Sequence, residues 1–226
     1  MKEAFVSWSG GKDSCLACYR AIASGMKIRY LLNMITEDGE RSRSHGIPAG
    51  LLKTQADAMG IPLVQKRATR ENYETVFKEA LIAFHQEGVT DGVFGDIDFN
   101  AHREWIDGVC RETGITPYLP LWLEDQAKLM EEFIAAGFIA IVVAAKADLF
   151  GKDVLGKKID RAFLASLGKD ITPCGEAGEY HTLVIDGPIF KKRLQITGSE
   201  KVSRDEHHFL SILGTELKSK PPAGRK

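Results

Sequence analysis

The chain has 226 residues, room for one large domain or two modest ones at roughly 150 residues each. A chain of that length buries about 70% of its unfolded surface, so it needs no disulfide or metal to fold. Thirty basic against 31 acidic side chains leave a net charge of −1, which argues against a strongly cationic nucleic-acid binder. The 44% hydrophobic and 27% charged residues are an ordinary globular mix. The longest apolar run, Phe138–Ala145, is strand-sized and far short of the roughly 18 residues that span a bilayer. The opening MKEAFVSW lacks the apolar core of a signal peptide. Cys15, Cys18, Cys110 and Cys174 then read as reduced thiols of a cytoplasmic protein with no membrane association.

In chain order, Ala4–Trp8 predicts a strand, and Asp13–Ser24 a helix closed by Gly25. Ile28–Ile35 is a second strand, followed by a charged loop over Thr36–Ser44. Pro48 opens a helix that ends at Gly60. Ile61–Gln65 is a strand, Asn72–Gln86 a long amphipathic helix, Gly92–Gly95 a short strand, Ala101–Thr113 a helix ended by Gly114, and Thr116–Leu121 a strand. This alternation predicts a parallel sheet covered on both faces, with ligands beyond the carboxyl ends of its strands. From about Leu123 the pattern changes: a helix over Gln126–Ala136, a buried strand over Phe138–Ala145, a helix over Gly156–Leu167, and strands at Tyr180–Ile185, Phe190–Thr197 and His208–Leu213. The expectation is an α/β fold: a doubly wound, Rossmann-like nucleotide-binding domain over residues 1–123, a smaller α+β substrate domain over 124–214, and a polar, mobile tail over 215–226.

The most informative stretch is Ser9-Gly10-Gly11-Lys12-Asp13-Ser14, between the first strand and the first helix. Two glycines let successive backbone N–H groups converge on an anion, and the helix N-terminus adds unpaired donors and partial positive charge. Ser9 and Ser14 supply hydroxyls and Lys12 a full charge, while Asp13 holds Mg²⁺ or caps the helix. Neither the Walker A pattern nor G-x-G-x-x-G is present.

SGGKDS resembles the PP-loop of the ATP pyrophosphatases. Further blocks follow in order: Gly95-Asp96-Ile97, His102-Arg103, Val109-Cys110, Pro120-Leu121-Trp122, Leu155-Gly156-Lys157, and Gly175-Glu176-Ala177-Gly178-Glu179-Tyr180-His181-Thr182. Together they are similar to the diphthine–ammonia ligase family. The resemblance implies a Rossmann-like PP-loop fold and an AMP- and pyrophosphate-forming ligase that uses ATP and Mg²⁺. A carboxylate is adenylated, and ammonia then displaces AMP. The resemblance further implies that Ser9 to Ser14 hold pyrophosphate and that Asn33–Ile35 line the adenine site, with His45 and Gly95 touching the nucleotide. Asp13 and Asp96 are the Mg²⁺ candidates. Arg103 is expected to neutralise charge in the transition state, and Glu176, Glu179 and His181 to meet the acceptor or the ammonia, in a cleft between the two domains. At Asp96 a helix cap, and at Arg103 a surface ion pair, remain the competing readings.

Diphthamide enzymes of archaea and eukaryotes typically read E-G-G-E-[FY]-E-T where this chain reads E-A-G-E-Y-H-T. His181 thus replaces a carboxylate, as in the bacterial branch of the family, for which a role in cobalamin metabolism has been suggested. The acceptor therefore stays open between a protein side chain and a small metabolite. Two other readings compete: a PP-loop sulfurtransferase and an ATP-binding sensor without chemistry. Cys15 and Cys18 share one helix face and read as buried residues, and the spacing of Cys110 and Cys174 says nothing by itself. His207 and His208 are adjacent in a strand and point to opposite faces, so they cannot ligate one ion together. No fused glutaminase fits within the chain, so free ammonium or a separate donor is expected. A nucleic-acid partner is disfavoured, and a homodimer is left open.

Overall fold

The strands of the first half form one sheet. In the computed structural model, which describes residues 1–220, β1 (Glu3–Ser7), β2 (Lys27–Ile35), β3 (Leu63–Arg67), β4 (Asp91–Val93) and β5 (Thr116–Tyr118) are all parallel. Their order is β3-β2-β1-β4-β5. Helices α1 (Lys12–Ala23), α2 (Ala49–Met59), α3 (Tyr73–Gln86) and α4 (Asn100–Thr113) make the crossovers. The chain winds outward from β1 to β3, then restarts on the other side of β1 with β4. The strand order therefore reverses between β1 and β4, where open α/β sheets place their ligands.

β1 is central, and Ala4, Phe5 and Val6 are fully buried. Phe5 anchors an aromatic cluster with Phe84, Phe94 and Phe77 at ring-centroid distances of 5.5, 5.8 and 6.4 Å. α3 presents Phe77, Ala80, Leu81 and Phe84 inward, the spacing that predicted it. Burying one such aromatic side chain contributes about 1.5–3 kcal/mol.

The chain divides into two compact units, Met1–Ala56 with Ile61–Asp125, and Asp57–Gly60 with the chain from Gln126 onward. The second unit holds α5 (Gln126–Ala135), β6 (Ile139–Lys146), a 3-10 turn at Lys152–Val154, α6 (Arg161–Ala165), β7 (Tyr180–Asp186), β8 (Lys192–Arg204) and β9 (His207–Ser219). Its sheet runs β7-β6-β9-β8 and is antiparallel throughout. β6 lies inside it and is buried from Ala140 to Ala145.

Two expectations for this unit need correction. The helix predicted over Gly156–Leu167 is confined to α6. Residues 156–159 instead run along β6, with Gly156 N–H donating to Val142 O (2.9 Å) and Ile159 N–H to Ala140 O (2.9 Å). Only after Asp160, whose carboxylate caps Phe163 N–H at 2.9 Å, does the chain turn helical. The predicted tail also begins too early. β8 and β9 keep pairing on both sides of an irregularity at Gly198 and Gly214, and Leu217 stands opposite the fully buried Leu194. The stretch from Thr215 is therefore strand through Ser219. Residues 221–226 of that expected tail lie outside the described residues.

Phe77→Ala removes a ring that touches both Phe5 and Trp105. It should lower unfolding stability by about 3–5 kcal/mol in urea denaturation; a loss below 1 kcal/mol would show that the cluster does not hold the sheet together.

Candidate functional site

At the point where the strand order reverses, β1 gives way to Trp8–Gly11 and then to α1. Gly11 is the N-cap, and no side chain caps the helix. The N–H groups of the first turn are thus not taken by a capping side chain and combine with the positive end of the helix dipole. Hydroxyls brace the loop. Gly11 N–H donates to Ser9 Oγ at 3.2 Å, Ser14 Oγ donates to Gly11 O at 3.1 Å, and the Ser9 and Ser14 hydroxyls lie 3.1 Å apart.

Gly10 adopts φ +78°, and a Cβ there would meet Leu52 Cδ2 at 2.4 Å and Gln55 Oε1 at 2.8 Å. Both neighbours belong to α2. Gln55 is fully buried. Its Nε2 donates to Gly10 O at 2.9 Å, and its Oε1 accepts from the Trp8 indole at 3.0 Å. The Gly10 carbonyl is therefore drawn inward onto α2 and kept away from where an anion would sit. Gln55 carries no sequence signal of its own; it sits in an ordinary amphipathic pattern. A second buried amide extends the scaffold. Asn33 Nδ2 donates to Trp8 O at 2.9 Å and to Ser42 Oγ at 3.3 Å, and Gln65 Nε2 donates to Asn33 Oδ1 at 3.2 Å. Asn33, expected near adenine, thus holds the strand end beneath the loop. It also ties in the turn closed by Gly46 N–H to Ser42 O (3.0 Å), which carries the half-buried His45.

Lys12 is only 4% exposed, and its ammonium pairs with Asp13 Oδ2 at 2.9 Å. Across the reversal, a Cβ on Gly95 would fall 2.9 Å from Asp13 C and Ser14 N. The β4 exit therefore rests directly on the start of α1, and at both Gly10 and Gly95 glycine serves the packing of protein on protein. Asp96 follows, its Oδ1 3.1 Å from His102 Nδ1. It does not cap α4, whose N-cap is Phe99 without a side-chain bond. Arg103 Nε donates to Asp107 Oδ2 at 2.9 Å, and its guanidinium lies 5.6 Å from the Trp122 ring centroid. The expected ion pair is thus present, but it uses Nε; among the described residues no hydrogen bond takes the Nη groups. The structure brings Ser9 to Ser14, Gly95 and Asp96 together, with Arg103 next to His102 on α4.

In the second unit, Glu176 and Glu179 lie on the loop into β7, and His181 is the second residue of β7 itself. Glu176 N–H donates to Thr172 Oγ1 at 2.9 Å, and Glu179 Oε1 accepts from Thr172 N–H at 2.8 Å. His181 is half-buried and stands opposite Ala144 of β6.

The cysteines are free and buried. Burial pushes Cys18 and Cys110 up to about 12, and burial with Cys18 and Asp13 nearby pushes Cys15 well above the ordinary thiol range. Thiolate is the nucleophile in sulfur transfer, and these three thiols supply almost none at neutral pH.

Among the described residues no group of three or more His, Cys, Asp and Glu forms a metal site. Asp13 and Asp96 offer the hard oxygens that suit Mg²⁺, which takes one or two protein carboxylates and completes its shell with phosphate and water. Asp13 stands in the first turn of the uncapped α1, and Asp96 directly follows Gly95, which packs against that turn, so the donor set fits a metal that arrives with a polyphosphate. Among the described residues no helix is long and apolar enough to cross a membrane.

Comparison with known proteins gives two family matches: a diphthamide synthase N-terminal domain over residues 1–117, and a diphthamide synthase C-terminal domain over residues 125–216. A diphthine--ammonia ligase of Schizosaccharomyces pombe is 28% identical over 241 residues, covering 94% of this chain and 39% of that protein. One of Rattus norvegicus is 28% identical over 231 residues, covering 90% of this chain and 86% of its own length. One of Danio rerio is 29% identical over 234 residues, covering 90% of each. The chain thus spans about two fifths of the S. pombe protein and most of the two vertebrate ones. Among solved structures, a predicted subunit of tRNA methyltransferase from Methanocaldococcus jannaschii shares 18% identity at a TM-score of 0.44, over 62% of this chain and 77% of that one.

Gln55→Leu keeps the volume but leaves the Gly10 carbonyl and the Trp8 indole without partners. It should weaken Mg-ATP binding about 10-fold or more by calorimetry and lower stability by about 1–3 kcal/mol; unchanged affinity would show that the carbonyl's direction does not matter. In the native protein Cys15, Cys18 and Cys110 should resist thiol-specific reagents at pH 7.5 and react on unfolding. Fast native labelling of any of them would contradict the burial described.

Proposed function

The chain belongs to the diphthamide synthase family, and from that premise we propose that it is an ATP-dependent, amide-forming ligase of the PP-loop type. The carboxylate of an acceptor attacks the α-phosphorus of ATP, the bond to the β-phosphate breaks, and pyrophosphate leaves. Ammonia then attacks the acyl-adenylate carbonyl, expels AMP and loses a proton, leaving an amide. One observation carries the reading: an uncapped helix start at the sheet's reversal point, with the adjoining Gly10 carbonyl turned away. That arrangement presents fixed N–H donors to the pyrophosphate that departs, without reorganisation at the moment of reaction.

Within this reaction the Ser9 to Ser14 loop grips pyrophosphate, with Lys12 adding charge. Asp13 and Asp96 would hold Mg²⁺, which would supply neutralisation of phosphate charge. Arg103 directs its guanidinium to the phosphate oxygens as negative charge shifts onto the leaving group. His45 and Gly95 border the nucleotide. Glu176, Glu179 and His181 serve the acceptor and the ammonia. The diphthine of the relatives is one candidate acceptor. A small-metabolite carboxylate is the second reading, and His181 favours it: a half-buried imidazole attracts a trimethylammonium group less than a carboxylate does.

The test is turnover of α-labelled ATP with ammonium chloride and either a diphthine-bearing protein or a panel of small carboxylic acids. AMP and pyrophosphate that form only when acceptor is present support the ligase. Tight ATP binding with no AMP under any acceptor would contradict it and favour a sensor. Asp13→Ala and Arg103→Ala should each lower turnover at least about 10-fold, about 1.4 kcal/mol of transition-state stabilisation; full rates in both would remove these residues from the site. His181→Glu should shift acceptor preference and leave ATP affinity unchanged.

A further inference from the structure

Glu179 is 2% exposed, and the fold satisfies its carboxylate on one side only. Oε1 takes the Thr172 N–H at 2.8 Å, whereas Oε2 is buried without a hydrogen-bond partner. The surrounding loop is fixed on every side. Gly175 N–H donates to Thr172 O and Gly178 N–H to Gly175 O, each at 3.0 Å. Gly175 sits at φ +70°, so close to β7 that a Cβ would lie 2.8 Å from Tyr180 O. The Tyr180 hydroxyl donates to Pro173 O at 2.5 Å. Lys146 N–H donates to Glu179 O at 2.9 Å, yet the Lys146 ammonium goes to Ala177 O at 2.8 Å. The loop is held in a shape that brings a carboxylate inside and leaves one of its oxygens to be met from elsewhere.

That carboxylate is charged. Burial alone would raise its pKa, but hydrogen bonding led by the Thr172 N–H outweighs burial and holds it below the usual range. A buried charged oxygen without a donor is costly, more so than a neutral group in the same place. A cation that donates N–H bonds relieves that strain best, because charge-assisted hydrogen bonds are about twice as strong as neutral ones. A trimethylammonium group does not meet that need, since it carries three methyls and no N–H.

We propose that Glu179 Oε2 is the anchoring acceptor of an ammonium site in the second unit, the place where the nitrogen donor is held before it reacts. The identity of the cation rests on the ligase reading; the existence of a site for a small monovalent cation does not. On release, ammonium gives one proton to solvent and becomes ammonia; its lone pair forms the new C–N bond, AMP leaves with the C–O electron pair, and the nitrogen loses a second proton to solvent to leave the amide.

The probe is thallium(I), which matches ammonium in charge and approximate size and scatters anomalously. Crystals of the full chain without nucleotide, soaked in a thallium(I) salt, should show an anomalous peak in contact with Glu179 Oε2, and the peak should vanish in Glu179→Gln. A difference peak without anomalous signal, meaning an ordered water only, would overturn the site, as would a thallium peak that persists in Glu179→Gln. A measurement on the unaltered protein guards against a variant that folds poorly. Ammonium chloride should raise the melting temperature above that in tetramethylammonium chloride of equal ionic strength, by about 3 °C at ten times its Kd; equal melting temperatures would overturn the proposal. The two readings fail separately. A thallium peak without AMP formation removes the ligase and keeps the cation site. AMP formation without a peak keeps the ligase and removes Glu179 from ammonium binding.

Discussion

The direction of one carbonyl governs the nucleotide loop. A turn between a strand and a helix has peptide groups that can face either way, and a carbonyl aimed at a phosphate repels it. Here the Gly10 oxygen is claimed by Gln55, which is also held by the Trp8 indole. The left-handed backbone at Gly10 makes that inward turn sterically possible, and the close approach of Leu52 excludes any side chain there. Once the carbonyl is secured, the first turn of α1 keeps N–H groups that no side chain caps, with the helix dipole behind them. The position in the sheet follows from topology. Because β4 restarts beside β1, the loop after β1 and the loop after β4 are neighbours, and Gly95 can rest against Asp13 and Ser14.

The two units solve opposite electrostatic problems. The first concentrates donors: backbone N–H groups, Lys12 and Arg103, tempered by Asp13 and Asp96. The second concentrates acceptors on the loop that holds Glu176 and Glu179. A reaction that expels pyrophosphate and admits a cationic nitrogen source needs both. Glu179 also shows how a fold can keep a carboxylate ionised while nearly covering it. Hydrogen bonding at one oxygen offsets the burial, and the other oxygen is left over.

Much of the first unit was legible in the sequence, because parallel strands leave continuous apolar runs and each helix shows its inward face. The Ser9 to Ser14 loop was legible for a different reason: two glycines before a lysine at a strand–helix junction have few other uses. What stayed hidden depends on contacts between distant segments. Gln55 occupies an unremarkable helix position and gains its role only from Trp8 and Gly10, more than forty residues earlier. Residues 156–159 look helical in composition, but hydrogen bonds to β6 hold them extended. Thr215–Ser219 looks like a solvated tail because its outward residues are charged, while Leu217 pairs inward with Leu194. The role of Asp96 was undecidable from spacing; only the cap of α4 at Phe99 shows that it does not serve the helix.

The central claim is that the departing phosphates are received by the N–H groups at the start of α1. It is tested most directly by a crystal structure of the full chain with a non-hydrolysable α,β-methylene ATP analogue and magnesium. The expected result is β- and γ-phosphate oxygens at about 2.7–3.2 Å from the backbone nitrogens of residues 12–14, with the Gly10 carbonyl still bonded to Gln55 and the α-phosphate left open to attack. Phosphates bound elsewhere, or a Gly10 peptide flipped so that its oxygen faces the nucleotide, would contradict it.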